Sequence, residues 1–247
     1  MNHQPTEPRY EFRVFGQEFG RMINVLLASS PLKRRETFTN TVLPIVEHAA
    51  EPHDAGIQTY LLAIGGQSCS IKVRNHQLDT KVLLREQHGL ERWQAHLRLA
   101  FPLTAAFLHE FLFAWVEIEP PHLWRAQYTE EQFWQELVMP NPALCAVRVR
   151  KQRRCFTINQ CAMEMTALTV NERHHTYTVA VEAADAEKVL DTVNLLGLQP
   201  FVNTNYLAGL SQLLGINMAE KRTGAATELT RPSAGHRAPD AALVLAR

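Results

Sequence analysis

The stretch SIKVRNHQLDTKVL, residues 70–83, sets Lys72, Arg74, Asp79 and Lys81 at two-residue spacing with apolar residues between them. A strand sends alternate side chains to opposite faces. Lys72 and Arg74 therefore share one face, and Ile71 and Val73 the other. The device recurs along the chain: Glu11 with Arg13, Lys151 with Arg153, Glu164 with Thr166, Ala180 with Glu182. Each is backed by an apolar set, such as Tyr10, Phe12 and Val14, Met163 and Met165, or Val179 and Val181. Lysine and arginine hold phosphate oxygens, and carboxylates hold hard divalent cations. Such a face fits two arrangements. One is an open antiparallel sheet, solvated on the charged side and covered by helices on the other. The other is a closed barrel with the charges inside, where each must be paired or meet a ligand. Alternation alone leaves both open.

The elements that would position these residues follow from periodicity. YEFRVF at 10–15 reads as a strand, and Phe19, Met22, Ile23, Leu26 and Leu27 place a helix over 17–29. QTYLLAIG reads as a strand ending at a Gly65–Gly66 turn. Residues 70–83 form two strands broken near Asn75–His76. EQHGLERW at 86–93 reads as a turn or short helix. LTAAFLHEFLFAWV at 103–116 is an apolar helix with Thr104 as N-cap candidate, and TEEQFWQELV at 129–138 is another, capped by Thr129. ALCAVRVRKQRRCFTI spans two strands or one long one. CAMEMTALTV and HTYTVAVEA are strands turned at Asn171–Glu172. A helix over 185–196 stops at Gly197, and YLAGLSQLL at 206–214 closes the fold. The expected organisation is a tail at 1–8, one domain at 9–215 and an unstructured tail at 216–247. Too few helices separate the strands for a doubly wound parallel sheet, so the class is antiparallel α+β.

The 247 residues are 46% hydrophobic and 20% charged, enough for a real core. Lys plus Arg equals Asp plus Glu at 25 each. A sequence-independent nucleic-acid binder draws affinity from a basic excess, so that class is disfavoured. No apolar run approaches the roughly 20 residues of a membrane helix, and the polar N-terminus carries no signal-peptide core. Cys69, Cys145, Cys155 and Cys161 form no CxxC pair, which reads as reduced thiols in a cytoplasmic protein. There is no Walker loop, dinucleotide fingerprint or nucleophile elbow. Phe107, Phe111, Phe113 and Trp115 read as core, with a homodimer face implied if part of that run is exposed. Trp93 reads as a core or lid anchor, and the basic run at 33–35 as a solvated loop.

The ordered segments R-Y-E-F-R at 9–13, K-V-R at 72–74, D-T-K at 79–81, K-Q-R at 151–153, A-M-E at 162–164 and V-A-V-E at 179–182 resemble a divergent member of the CYTH superfamily, the triphosphate tunnel metalloenzymes. L-L-G-L and N-T-N-Y at 195–206 resemble the end of such domains, so the likeness runs over about residues 9–214. It implies a closed eight-stranded antiparallel barrel, a tunnel with flanking helices. It implies phosphate-binding bases at Arg13, Lys72, Arg74, Lys81, Lys151 and Arg153, and Mg2+ or Mn2+ ligands at Glu11, Glu164 and Glu182. It assigns Lys151 and Arg153 to the lumen and the out-of-phase Arg148 and Arg150 to solvent, and it offers a guard at the tunnel mouth as the alternative reading of the basic run at 33–35. The family's opening E-x-E-x-K appears as Arg9, Glu11 and Arg13, and its late E-x-E as Ala180 and Glu182, so one carboxylate is missing from each.

The resemblance implies a metal-dependent phosphohydrolase acting on inorganic or organic triphosphates. The alternative is a non-catalytic polyanion-binding protein that keeps the tunnel without a full metal site. The expected partner in both is a small polyphosphate or triphosphate, with neither nucleic acid nor membrane. The two readings separate on the carboxylates: Glu11, Glu164 and Glu182 either converge to share a cation or are tied up by arginine.

Overall fold

The computed structural model describes residues 7–19, 35–38, 41–44, 46–47, 53–67 and 69–216. The helix expected over 17–29, beyond Phe19, the basic residues at 33–34, and the terminal segments 1–6 and 217–247 lie outside the described residues.

Eight long strands carry the fold: β1 (Arg9–Phe15), β2 (His53–Ala63), β3 (Cys69–Arg74), β4 (Gln77–Gln87), β5 (Leu90–Ala100), β6 (Leu144–Ile158), β7 (Cys161–Val170) and β8 (His174–Ala183). Every pairing between them is antiparallel, and the order β7-β8-β1-β5-β4-β3-β2-β6 returns to β7 through the β6–β7 ladder. The sheet is therefore a closed barrel, and the open-sheet arrangement is excluded. β6 makes closure possible. It is 15 residues long, pairing β2 along its first part and β7 along its second.

The hairpins are tight because the chain supplies residues that tolerate positive φ at the turns. Asn75–His76, Asn159–Gln160 and Asn171–Glu172 each hold two successive residues at φ between 48° and 63°. His88–Gly89 does the same between β4 and β5, at φ 53° and 75°. EQHGLERW, expected as a turn or short helix, is thus the tip of a hairpin whose strands run to Gln87 and from Leu90. His88 followed by glycine outweighs the weak helical spacing of that segment.

Four helices flank the barrel among the described residues. They are α1 (105–115), α2 (130–138), α3 (Ala186–Leu195) and α4 (Tyr206–Leu214). Thr104 caps α1 by accepting from the Phe107 amide. Thr129 and Gln132 form a reciprocal capping box at α2. α1 and α2 lie on the outer, apolar faces of β3 and β4, burying Ile71, Val73 and Leu78 against Leu108, Leu112, Phe113 and Phe133. α3 covers Tyr10, Phe12, Met163, Met165, Val179 and Val181 with Val189 and Val193. The apolar sets read from the alternation are therefore the outer wall. Phe111 is 42% exposed on α1.

α4 behaves differently. Its Leu207 and Leu210 pack with Leu62, Val147, Val149, Leu168 and Val170, the residues that β2, β6 and β7 point inward. The helix plugs one end of the barrel. Gly209 is required at that contact, because a Cβ there would stand 2.6 Å from the Phe15 ring. The preceding segment is stitched to β1: Asn203 Oδ1 accepts from the Arg13 amide at 2.8 Å, and the Thr204 amide donates to the Arg13 carbonyl at 2.6 Å.

Candidate functional site

With one end filled, the interior is a blind cavity of about 260 Å³. Glu11, Arg13, Lys72, Arg74, Lys81, Lys151, Arg153, Glu164 and Glu182 all line it. All nine residues singled out from the sequence are therefore brought together. Register explains the convergence: Lys72 opposes Asp79, Ser70 opposes Lys81, and Glu11 opposes Glu182 across neighbouring strands. Arg148 and Arg150 are exposed on the other face of β6, as the phase of that strand requires.

The floor is aromatic. Tyr60 from β2 and Tyr206 from α4 stack with centroids 5.4 Å apart. Lys151 Nζ lies 3.5 Å from the Tyr206 centroid and donates to the Tyr60 hydroxyl at 2.7 Å. The Arg13 guanidinium lies 4.5 Å from the Tyr206 centroid. Each desolvated cation–π contact of this kind is worth about 2 kcal/mol, a partial offset for burying Arg13 and Lys151.

The walls hold six lysine or arginine residues against four Asp or Glu, and the carboxylates are largely committed. Arg13 Nε donates to Glu11 at 2.8 Å. Glu164 lies 3.5 Å from Arg13 Nη1 and 3.4 Å from Arg153 Nε, and it also accepts from the Thr166 hydroxyl at 2.9 Å. Asp79 accepts from Arg74 at 2.5 Å and from Arg98 at 2.6 Å. Burial pushes the Glu164 carboxyl up, but Arg13, Arg153 and Lys151 outweigh it and hold it at about 2. Glu11 is likewise held below the usual carboxylate range, with Arg13 and Lys81 overcoming burial. Glu182 goes the other way. Burial and then the neighbouring Glu11 raise its carboxyl.

The lysines record the surplus of positive charge. Burial, then Lys81 and Arg74, bring Lys72 down to about 7. Burial, then Lys72 and Arg153, hold Lys151 well below the usual lysine range. Lys81 stands exposed at the mouth.

The expected Mg2+ or Mn2+ ligands can be judged on this geometry. A divalent cation needs several oxygens aimed at one point. Here Arg13 occupies Glu11 and bridges towards Glu164, and among the described residues no group of three His, Cys, Asp or Glu side chains is placed to hold a metal ion. The carboxylates present do not fit a preformed metal centre.

Four participants escaped sequence reasoning. Tyr60 and Tyr206 form the floor, although Tyr60 sits at an ordinary apolar strand position and Tyr206 opens a helix. Arg98 anchors Asp79 from β5, a strand whose second half carries no clear alternation. Asn205 caps α4 and donates to Glu91 at 2.7 Å, with Trp93 donating to the same carboxyl group at 3.0 Å. The N-T-N-Y run was the available signal for Asn205 and Tyr206. A larger groove of about 640 Å³ lies outside the barrel, between α3 and the β4–β5 turn, with no lysine or arginine in its lining.

No family model matches the chain, and no curated protein matches it. Among solved structures, it is similar to a conserved hypothetical protein from Pyrococcus furiosus. The match has 14% identity and a TM-score of 0.36, covering 80% of this chain and 98% of that one. It is also similar to the PH1012 protein from Pyrococcus horikoshii OT3, at 14% identity and a TM-score of 0.33, over 84% of this chain and 99% of that one. Both likenesses are too distant to bear on function.

Proposed function

We propose that this protein binds a small polyphosphate-like anion in a one-mouthed barrel cavity, and that it does so without a resident metal ion. One observation carries the reading: six basic residues converge on a cavity in which three of the four carboxylates, Glu11, Asp79 and Glu164, are paired with arginines, so that among the described residues Lys72 and Lys151 make no ion pair of their own. An entering phosphate chain supplies the counter-charge. It draws hydrogen bonds from Arg153, Lys72 and Lys81, and the desolvated surroundings strengthen each of them. The aromatic floor and α4 stop the chain, so the anion enters end-on through the mouth. The resemblance to the CYTH superfamily supports the same ligand class.

Metal-dependent hydrolysis of a triphosphate is the second reading, and one observation favours it. Glu182 faces Glu11 across the ladder, and the two carboxylates repel, a strain that a cation would relieve. The experiment that separates the readings is phosphate release from inorganic triphosphate and from ATP, with Mg2+ and with Mn2+, in wild type and Glu182→Gln. Binding without release in either protein is the expected result. Metal-dependent release that disappears in Glu182→Gln would replace this reading with the hydrolytic one.

A further inference from the structure

The amine of Lys72 sits where an uncharged nitrogen and an anion are both favoured. Its strand neighbour Arg74 shares its face, and Lys81 approaches from β4. Lys151 and Arg153 approach from β6, and Tyr60 from β2 presents its ring 5.9 Å from Nζ. Asp79, directly opposite on β4, is the natural partner of a lysine at this position. It is held by Arg74 and Arg98, and its pull on the Lys72 ammonium offsets the surrounding cations only in part. Lys72 is half-buried and lines the cavity, so it remains reachable through the mouth.

We propose that Lys72 is a carbamylation site, whose amine adds carbon dioxide to give a carbamate anion held by the surrounding cations. The nitrogen lone pair forms a bond to the carbon of CO2, one C=O π pair moves onto oxygen, and the ammonium proton of the adduct leaves to buffer. The balance is one amine plus one CO2 to one carbamate plus one proton, with no change of oxidation state. The reaction requires a neutral nitrogen, and burial in the cavity together with the surrounding cations favours one. The product turns a positive or neutral site into a negative one, and the same crowd then stabilises it. Arg74 and Arg153 are fixed guanidinium groups suited to a planar carboxylate-like product. Lys72 thus becomes the counter-charge that the cavity lacks when no phosphate is bound. The inference needs the cationic cavity but not a polyphosphate ligand.

The test is carbon NMR of the intact protein equilibrated with isotopically labelled bicarbonate near neutral pH, compared with Lys72→Arg. That variant keeps the positive charge but cannot form the adduct. The chain's α-amino group also forms a carbamate in this pH range and gives a background common to both proteins. The expected result is one further carbamate resonance in wild type that is lost in Lys72→Arg. Identical spectra from the two proteins would overturn the proposal. A second measurement needs only wild type. The carbamate is trapped by O-alkylation and located by peptide mass. The label is expected on the peptide containing Lys72, and a label confined to other amines, or none at all, would overturn it.

Discussion

The mouth half and the floor half of the barrel interior stand on the same strands and differ in almost every physical respect. On β6, Val147 and Val149 point inward under α4, and two residues later Lys151 and then Arg153 point inward under open cavity. On β7, Leu168 and Val170 line the plugged end, and Glu164 and Thr166 line the other. One unbroken alternation therefore serves two purposes. The apolar half is closed by Leu207 and Leu210 of α4 and acts as core. The charged half is kept apart from it by the Tyr60–Tyr206 stack and holds a surplus of cations. Burial is shared by both halves, and compensation is not. The floor is closed by packing of α4 onto the strands, whereas the mouth half, under the proposed function, is completed by an anion.

That contrast is breakable by substitution. The largest effect is expected from Glu164→Gln, which strips Arg13 and Arg153 of a shared buried counter-charge. The loss should be about 4 kcal/mol in chemical denaturation, with partial recovery on adding inorganic triphosphate. A loss that triphosphate does not touch would mean that the mouth half is stabilised like ordinary core. The same pair sets an acid limit. Glu164 sits below its unfolded value, so its contribution is present above about pH 4 and is lost as pH falls towards about 2.

In the floor half, Leu210→Ala should cost about 3 kcal/mol through the cavity it leaves, with triphosphate affinity changed little. Gly209→Val, which drives a side chain into Phe15, should cost about 2 kcal/mol by overpacking. A large loss of affinity in either variant would show that the plug also positions the ligand.

The smallest effect sharpens the account of the mouth half. Lys72 titrates at about 7 in the free protein, and a bound anion raises it. Binding should then take up a proton above that pH, and affinity should fall up to tenfold per pH unit, about 1.4 kcal/mol. Calorimetry in two buffers of different ionisation enthalpy reads this uptake directly, and a buffer-independent enthalpy would contradict it.

The sequence was informative about faces and less so about depth. Two-residue spacing marked which side chains share a side, so the apolar outer wall was legible, as were the two threonine-capped helices; the nine cavity residues were legible only with the family resemblance, which chose among the charged positions. The alternation could not say whether the sheet closed, because closure depends on β6 reaching two partners far apart in sequence. Nor could it say that Lys151 rests on tyrosines from β2 and α4, a contact made only in the folded chain. The fate of the carboxylates was equally hidden. Spacing places Glu11 beside Arg13, but only the folded barrel brings Glu164 to the same guanidinium.

The central claim is that the mouth half is a metal-free anion receptor. Its most direct test is titration of the protein with inorganic triphosphate in the presence of excess EDTA, for wild type and Arg153→Met. The account predicts saturable binding of one triphosphate per chain in wild type and affinity reduced by about tenfold or more in the variant. No binding in EDTA, with binding appearing only when Mg2+ or Mn2+ is supplied, would contradict it.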